Sequence, residues 1–279
     1  MVEIDTTPSA RAQSSPRLSM RCALLATVLP IFGCNAPADV VISEHPNDNP
    51  LATATRLSVH DLPLTLTGSD LRRFDLNHAD LSGADLTNAQ LAGVDLTGAD
   101  LRNASLAGAD LRGAKLDQAW LEGTNLQGAL LNGCDLRRTK MSGADCRAAD
   151  MSDCLLAGLD LMTVKLRACK LRGADLQGVQ ASRANLDMAD LRASNWDGAD
   201  LSWSSLASAN LEGASLVQAN LFMAEFDEAK LSRADLRAQP NLTANQLSKA
   251  ASWDLETRWP EDVESLAQNQ PVKKAGAQE

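Results

Sequence analysis

Residues 80 to 111 read DLSGADLTNAQLAGVDLTGADLRNASLAGADL, with Leu or its equivalent at every fifth position and Ala two places before most of them. A period of five is neither the 3.6 of an α-helix nor the 2 of a flat strand. It demands another closed geometry, and self-similarity of this kind outranks local propensity. Outward from this stretch the register runs without a slip from Leu66 to Leu236. Of its 35 central positions 29 are Leu, and the rest are Met141, Cys146, Met151, Ala181, Trp196 and Phe226. Two residues earlier, the 33 positions from Phe74 to Ala234 hold 21 Ala, with small or apolar residues such as Val94, Cys134 and Thr139 at most others. Both columns are expected to face a tight interior, where Ala lets each wall approach the Leu layer.

The unit A-[DN]-L-x-x, as in Ala84-Asp85-Leu86 and Ala99-Asp100-Leu101, resembles the pentapeptide-repeat family over the greater part of the chain. The resemblance implies an all-β fold: a right-handed quadrilateral parallel β-helix, four pentads per coil, one per side, with a turn at each corner. On that plan the 35 centres make about eight to nine coils. A ladder spacing near 4.8 Å gives a rod of roughly 42 Å. Gly83, Gly93, Gly98 and Gly108 would relieve backbone strain at corners. A lone coil buries too little to fold, so the array is expected to gain stability along its length as one cooperative domain.

The regions outside the repeat read differently. Residues 20 to 34, MRCALLATVLPIFGC, place Arg21 before an apolar run too short to span a bilayer, which suits an export signal with Met20 as the start. Ile31-Phe32-Gly33-Cys34 resembles the bacterial lipobox, making Cys34 a lipidation site, although Phe32 departs from the usual small or aliphatic residue. Ala36-Pro37-Ala38 offers ordinary cleavage before Asp39 instead. The expected organisation is a leader over 1–38, a linker over 39–60 made extended by Pro46 and Pro50, the β-helix over 61–240, a C-terminal cap over 241–260 and a flexible tail over 261–279. In the cap, Thr243-Ala244-Asn245-Gln246 has capping-box spacing and predicts a short helix over 243–251.

A net charge of −10 and a pI near 4.8 argue against direct binding to nucleic acid or anionic membrane, either of which needs a basic patch. No cofactor, metal site or catalysis is expected. The sulfurs lack metal-ligand spacing, and His45, His60 and His78 have no nucleophile and acid beside them. Cys134 and Cys154, four pentads apart, should stack on one wall within disulfide reach; their parallel inward vectors favour two reduced core thiols, and Cys146 and Cys169 also read as filler. Trp196, three pentads from Ala181, is expected to fill the space that Ala181 leaves, conserving core volume. The outward Asp80, Asp100, Asp160 and Asp200 read as a solvated repeated wall rather than a carboxylate site.

Trp120, Met162, Trp203, Phe222 and Met223 occupy outward slots on one wall, which makes them the candidate interaction surface. Either the C-terminal segment bearing Trp253 and Trp259 folds back over them, or they meet an unknown protein partner or a second copy of the chain. The resemblance also implies a sharper function, since some family members mimic DNA and bind DNA gyrase, giving quinolone or toxin protection. Charge argues against it. Duplex of 42 Å carries roughly 25 negative charges, whereas residues 66–240 hold 24 acids and 18 bases, net −6. The wall centred on Leu71 and Leu91 is +2 and the others −3, −2 and −3. The leading expectation is therefore a noncatalytic scaffold of the bacterial cell envelope or exterior, anchored by lipid if Cys34 is used, with gyrase binding in the cytoplasm as the alternative.

Overall fold

The computed structural model describes residues 41–44, 55–58, 65–239, 242–250 and 252–260. Cys34, His45, His60, the leader and the tail lie outside the described residues. Through the repeat, parallel bridges join residues four pentads apart, from Thr65–Asp85 to Ser215–Asp235. The chain thus returns above itself once per coil, and each side contributes one bridge. Leu66, Leu86, Leu106 and Leu126 lie one above another on one wall, all fully buried, and the Ala column is equally enclosed. A filled interior follows from the sequence period, because every fifth side chain has no other direction to take.

Each corner is a tight turn closed by the N–H of the Ala-column residue donating to the carbonyl of the preceding central Leu, as in Ala84 to Leu81 at 3.0 Å. The residue two places after the centre takes a left-handed φ, as at Gly83 (67°) and Gly93 (73°). Glycine is not the rule there. Seventeen non-glycine residues adopt the same conformation, Asn88, Trp203 and Met223 among them.

Three corner residues, Arg73, Arg138 and Thr163, are missing from the left-handed set. Each precedes a bulky residue in the Ala column: Phe74, Thr139 or Val164. Val94, Thr124, Leu159 and Val179 are also bulky, but Gly precedes each, and those corners stay left-handed. A Cβ in the left-handed region crowds the next carbonyl. A β-branched or aromatic neighbour removes the room to relax, so each is tolerated alone and the combination is not. Turning over the central peptide, the difference between type II and type I turns, then breaks the ladder locally. The regular bonds from Arg138 N–H to Ala157 and from Asp160 N–H to Thr139 are absent, and Gly143 N–H donates to Thr163 Oγ1 at 2.9 Å in place of a carbonyl. The bridges 75–95, 140–160 and 165–185 are missing beside these three corners, as is 115–135.

At the C-terminus the helix, α1 (Ala244–Leu247), is four residues long, shorter than the 243–251 expected. Gln246 explains both its start and its position. It accepts from Thr243 N–H at 3.0 Å, and its Nε2 donates to the carbonyls of Leu221 and Ala224, each at 2.9 Å. The segment after α1 pairs with the last coil through Lys230–Ser252 and Asp235–Arg258, so it adds irregular ladder to the stack. Leu242 and Leu247 are buried, as are Ala250 and Trp253 of that segment. Before the repeat, β1 (Val41–Glu44) pairs antiparallel with β2 (Thr55–Ser58), Val41 opposite Ser58. This part of the expected extended linker is a two-stranded ribbon, in keeping with the strand preference of β-branched Val41 and Ile42.

Candidate interaction surface

The five outward apolar residues are all exposed, but they do not form one patch. Trp203, Phe222 and Met223 are 53%, 46% and 50% exposed. The Trp203 and Phe222 rings meet edge-on, 5.7 Å between centroids at 82°, and Trp203 N–H donates to the Phe222 carbonyl at 2.8 Å. Met223 stands at the same corner one coil on from Trp203. Met162 lies two coils away on that wall, and Trp120 four coils away, roughly 19 Å along the ladder. Trp120 is also occupied. Arg102 lies 4.6 Å and Lys140 4.3 Å from its ring centre, a cation from each neighbouring coil. Met188 and Leu155, outside that set, lie on other sides of the coil and are also exposed, at 56% and 37%.

Covering of this surface by the C-terminal segment is overturned. Trp253 is buried, pairs edge-on with Trp259 at 6.1 Å, and belongs to the segment that closes the end of the stack. Indole surface there covers the open coil rather than the lateral wall. Positions 203 and 223 also have φ of 60° and 57°. An L-residue in that region costs roughly 1–2 kcal/mol. Two large apolar side chains therefore stand where Gly would suit the backbone better, and both point to solvent.

Charges around the walls are largely engaged. A recurrent clamp joins the residue before a central position to the residue after it: the Asp accepts both from the backbone N–H two residues on and from the Arg fork. Asp70–Arg72, Asp100–Arg102, Asp110–Arg112, Asp135–Arg137, Asp145–Arg147, Asp190–Arg192 and Asp235–Arg237 all do this. The guanidinium holds each carboxyl below its ordinary range, Asp70 at about 2. On the +2 wall Arg72, Arg112, Lys170 and Arg192 are each paired in this way or across coils.

Inside, Cys134, Cys146, Cys154 and Cys169 stand free and buried. The Cys134 and Cys154 thiols donate to the carbonyls of Leu111 and Leu131 at 3.2 and 3.0 Å. Burial pushes Cys146 and Cys154 up to about 12, so neither is a nucleophile at neutral pH. Ala181 and Trp196 are both fully buried, and the Trp196 indole N–H donates to Ser194 Oγ at 2.8 Å, a partner that the pentad pattern did not flag. Among the described residues, no cluster of His, Cys, Asp or Glu is placed to hold a metal ion, and no helix is long and apolar enough to cross a membrane.

A family model described as Pentapeptide repeats matches residues 65–98, 89–128, 121–158, 160–195, 184–222 and 199–237, in eight copies. The chain belongs to the pentapeptide-repeat family. Among solved pentapeptide-repeat structures it is similar to HetL, involved in heterocyst differentiation regulation in the cyanobacterium Nostoc sp. strain PCC 7120. That match has 35% identity and a TM-score of 0.33 and covers 64% of this chain and 86% of HetL. It is also similar to QnrB1, a plasmid-mediated fluoroquinolone resistance protein, at 15% identity and TM-score 0.37, covering 76% and 96% of the two chains. A pentapeptide repeat protein of the Arabidopsis thaliana thylakoid lumen matches at 23% identity and TM-score 0.20, covering 64% and 92%. No curated protein sequence matches the chain. Pentapeptide-repeat proteins are generally noncatalytic repeat structures, and their fold is a right-handed β-helix.

Proposed function

We propose that this pentapeptide-repeat protein is a noncatalytic scaffold that binds another protein through one lateral wall of its β-helix, in the bacterial cell envelope or outside the cell. The observation that carries the reading is the Trp203–Phe222–Met223 group: three half-exposed apolar side chains, two held in an unfavourable left-handed conformation, on a rod whose interior is full. A filled interior offers no cleft in which reactive groups converge, so recognition falls to the outer surface. Lipidation of Cys34, or cleavage after Ala38, would set the location.

Two measurements test this. Intact mass of the protein from its own cells distinguishes a lipidated start at Cys34 or a trimmed start at Asp39 from an unprocessed chain, and an unprocessed chain removes the envelope reading. A photo-reactive residue in place of Met223 should give one discrete adduct in those cells, lost in a Trp203→Ser, Phe222→Ser double variant. Absence of any discrete adduct counts against the wall.

The second reading, gyrase binding with fluoroquinolone protection, rests on family membership alone. The charge inventory opposes it, since no wall approaches the charge density of duplex. Inhibition of gyrase supercoiling by micromolar protein would establish the second reading in place of the first.

A further inference from the structure

The turned-over corner at Thr163 opens the coil stack. No ladder bond joins Leu166 N–H to the Asn185 carbonyl, or Asn185 N–H to the Val164 carbonyl, although both bonds recur in the regular coils. The gap forms a groove of about 330 Å³, lined among others by Met162, Thr163 and the cations Arg147, Lys165, Arg167 and Arg183. Such a volume lies at the lower end of small-ligand sites.

The cations are not equivalent. Arg147 is clamped on Asp145 and Lys165 reaches the same carboxylate at 3.5 Å. Arg167 has only the Met188 thioether, at 3.3 Å, and no acceptor bonds the Arg183 guanidinium among the described residues. Two further carboxylates flank the groove: Asp187 is taken up by Ser205 Oγ and Ala207 N–H, and Asp160 accepts from the Met162 N–H at 3.0 Å. Four cations thus face three engaged carboxylates. The open backbone adds as many carbonyls as N–H groups, so the side chains decide the sign of the site.

We propose that this groove binds a phosphoryl oxyanion, free phosphate or a phosphate ester, held by the Arg167 and Arg183 forks with Lys165 beside them. A guanidinium fork engages two oxygens at once. Two forks therefore ask for more oxygens than a carboxylate carries, whereas a phosphoryl group can present oxygens to both. Electrostatic neutralisation leaves the binding sensitive to salt.

Calorimetric titration of the full chain at low ionic strength tests it with inorganic phosphate, O-phosphoserine and acetate. Phosphate should saturate one site, and Arg167→Ala with Arg183→Ala should weaken it at least tenfold. Thr163→Gly should abolish it, because Gly at the corner allows the left-handed turn and the ladder closes over the groove. Tighter binding of phosphoserine than of phosphate would identify the ester as the source, and the reverse would identify the free ion. Phosphate that fails to saturate by 10 mM, acetate that binds as well as phosphate, or full binding by a folded Thr163→Gly variant would overturn the proposal.

Discussion

Replacing Arg138 by Gly should stabilise the protein, which is unusual for removal of a charged side chain with an ion-pair partner. At this corner the turned-over peptide loses four regular ladder bonds: Gln118 N–H to Arg137, Arg138 N–H to Ala157, Met141 N–H to Asp160, and Asp160 N–H to Thr139. Each such bond contributes about 1 kcal/mol net. Gly adds about 0.5–1 kcal/mol of unfolded-chain entropy to be lost. The ion pair forfeited, Arg138 to Asp117 at 3.2 Å, is largely solvent-exposed and of a kind that contributes little. The balance is a gain of about 2–3 kcal/mol. A domain of this size moves roughly 2–4 °C per kcal/mol, so calorimetric melting should rise by roughly 4–12 °C. Arg138→Ala keeps the Cβ and should barely move it, while Gly178→Arg, beside Val179, should turn its corner over and lower it. The reasoning is refuted if Arg138→Gly melts at or below the parent, or if Gly178→Arg is silent.

Ser194→Ala should cost about 1–3 kcal/mol in urea unfolding, because it leaves the buried Trp196 indole N–H without its acceptor. A further Trp196→Phe change on that background should then cost less than it does alone. Acid should weaken the fold through the Asp–Arg clamps. Folded-state values below the ordinary carboxylate value near 4 give stability that is present above pH 4 and lost as pH falls toward 2, the value for Asp70, as urea midpoints across that range would register. With Cys22 and Cys34 changed to Ser, the native protein at pH 8 should leave Cys134, Cys146, Cys154 and Cys169 unmodified by a thiol reagent, and all four should react in denaturant.

The interior was legible because its signal is purely periodic: Leu86, Leu106 and Leu126 can point only inward once the period is five. The corners were less so. Glycine marks fewer than half of the left-handed positions, and the exceptions at Arg73, Arg138 and Thr163 depend on a pair of adjacent residues rather than on one. The C-terminal ladder was hidden because the pentad pattern stops after Leu236, so that Ser252 pairs with Lys230 and Arg258 with Asp235, each beyond the regular four-pentad spacing. Exposure of Trp203, Phe222 and Met223 could be read from their slots. Division of the wall could not be read along the chain, because the neighbours that matter lie about one coil away. Arg102 and Lys140 reach Trp120 from the coils before and after it, and the diagonal bonds Thr67–Asp85 and Asn132–Asp150 likewise join adjacent coils. The cations that enclose Trp120 stand 18 residues before it and 20 after it in the chain.

Amide hydrogen exchange, resolved by residue, tests the stacked interior most directly. Leu101, Leu121 and Leu126 donate to carbonyls of the next coil at 2.9, 2.7 and 2.8 Å and should exchange at the slowest rates, with Arg138, Thr163 and Asn185 far faster. Protection recurring every three or four residues, or equal protection at Leu121 and Thr163, would contradict a ladder of pentads closed around a solid core.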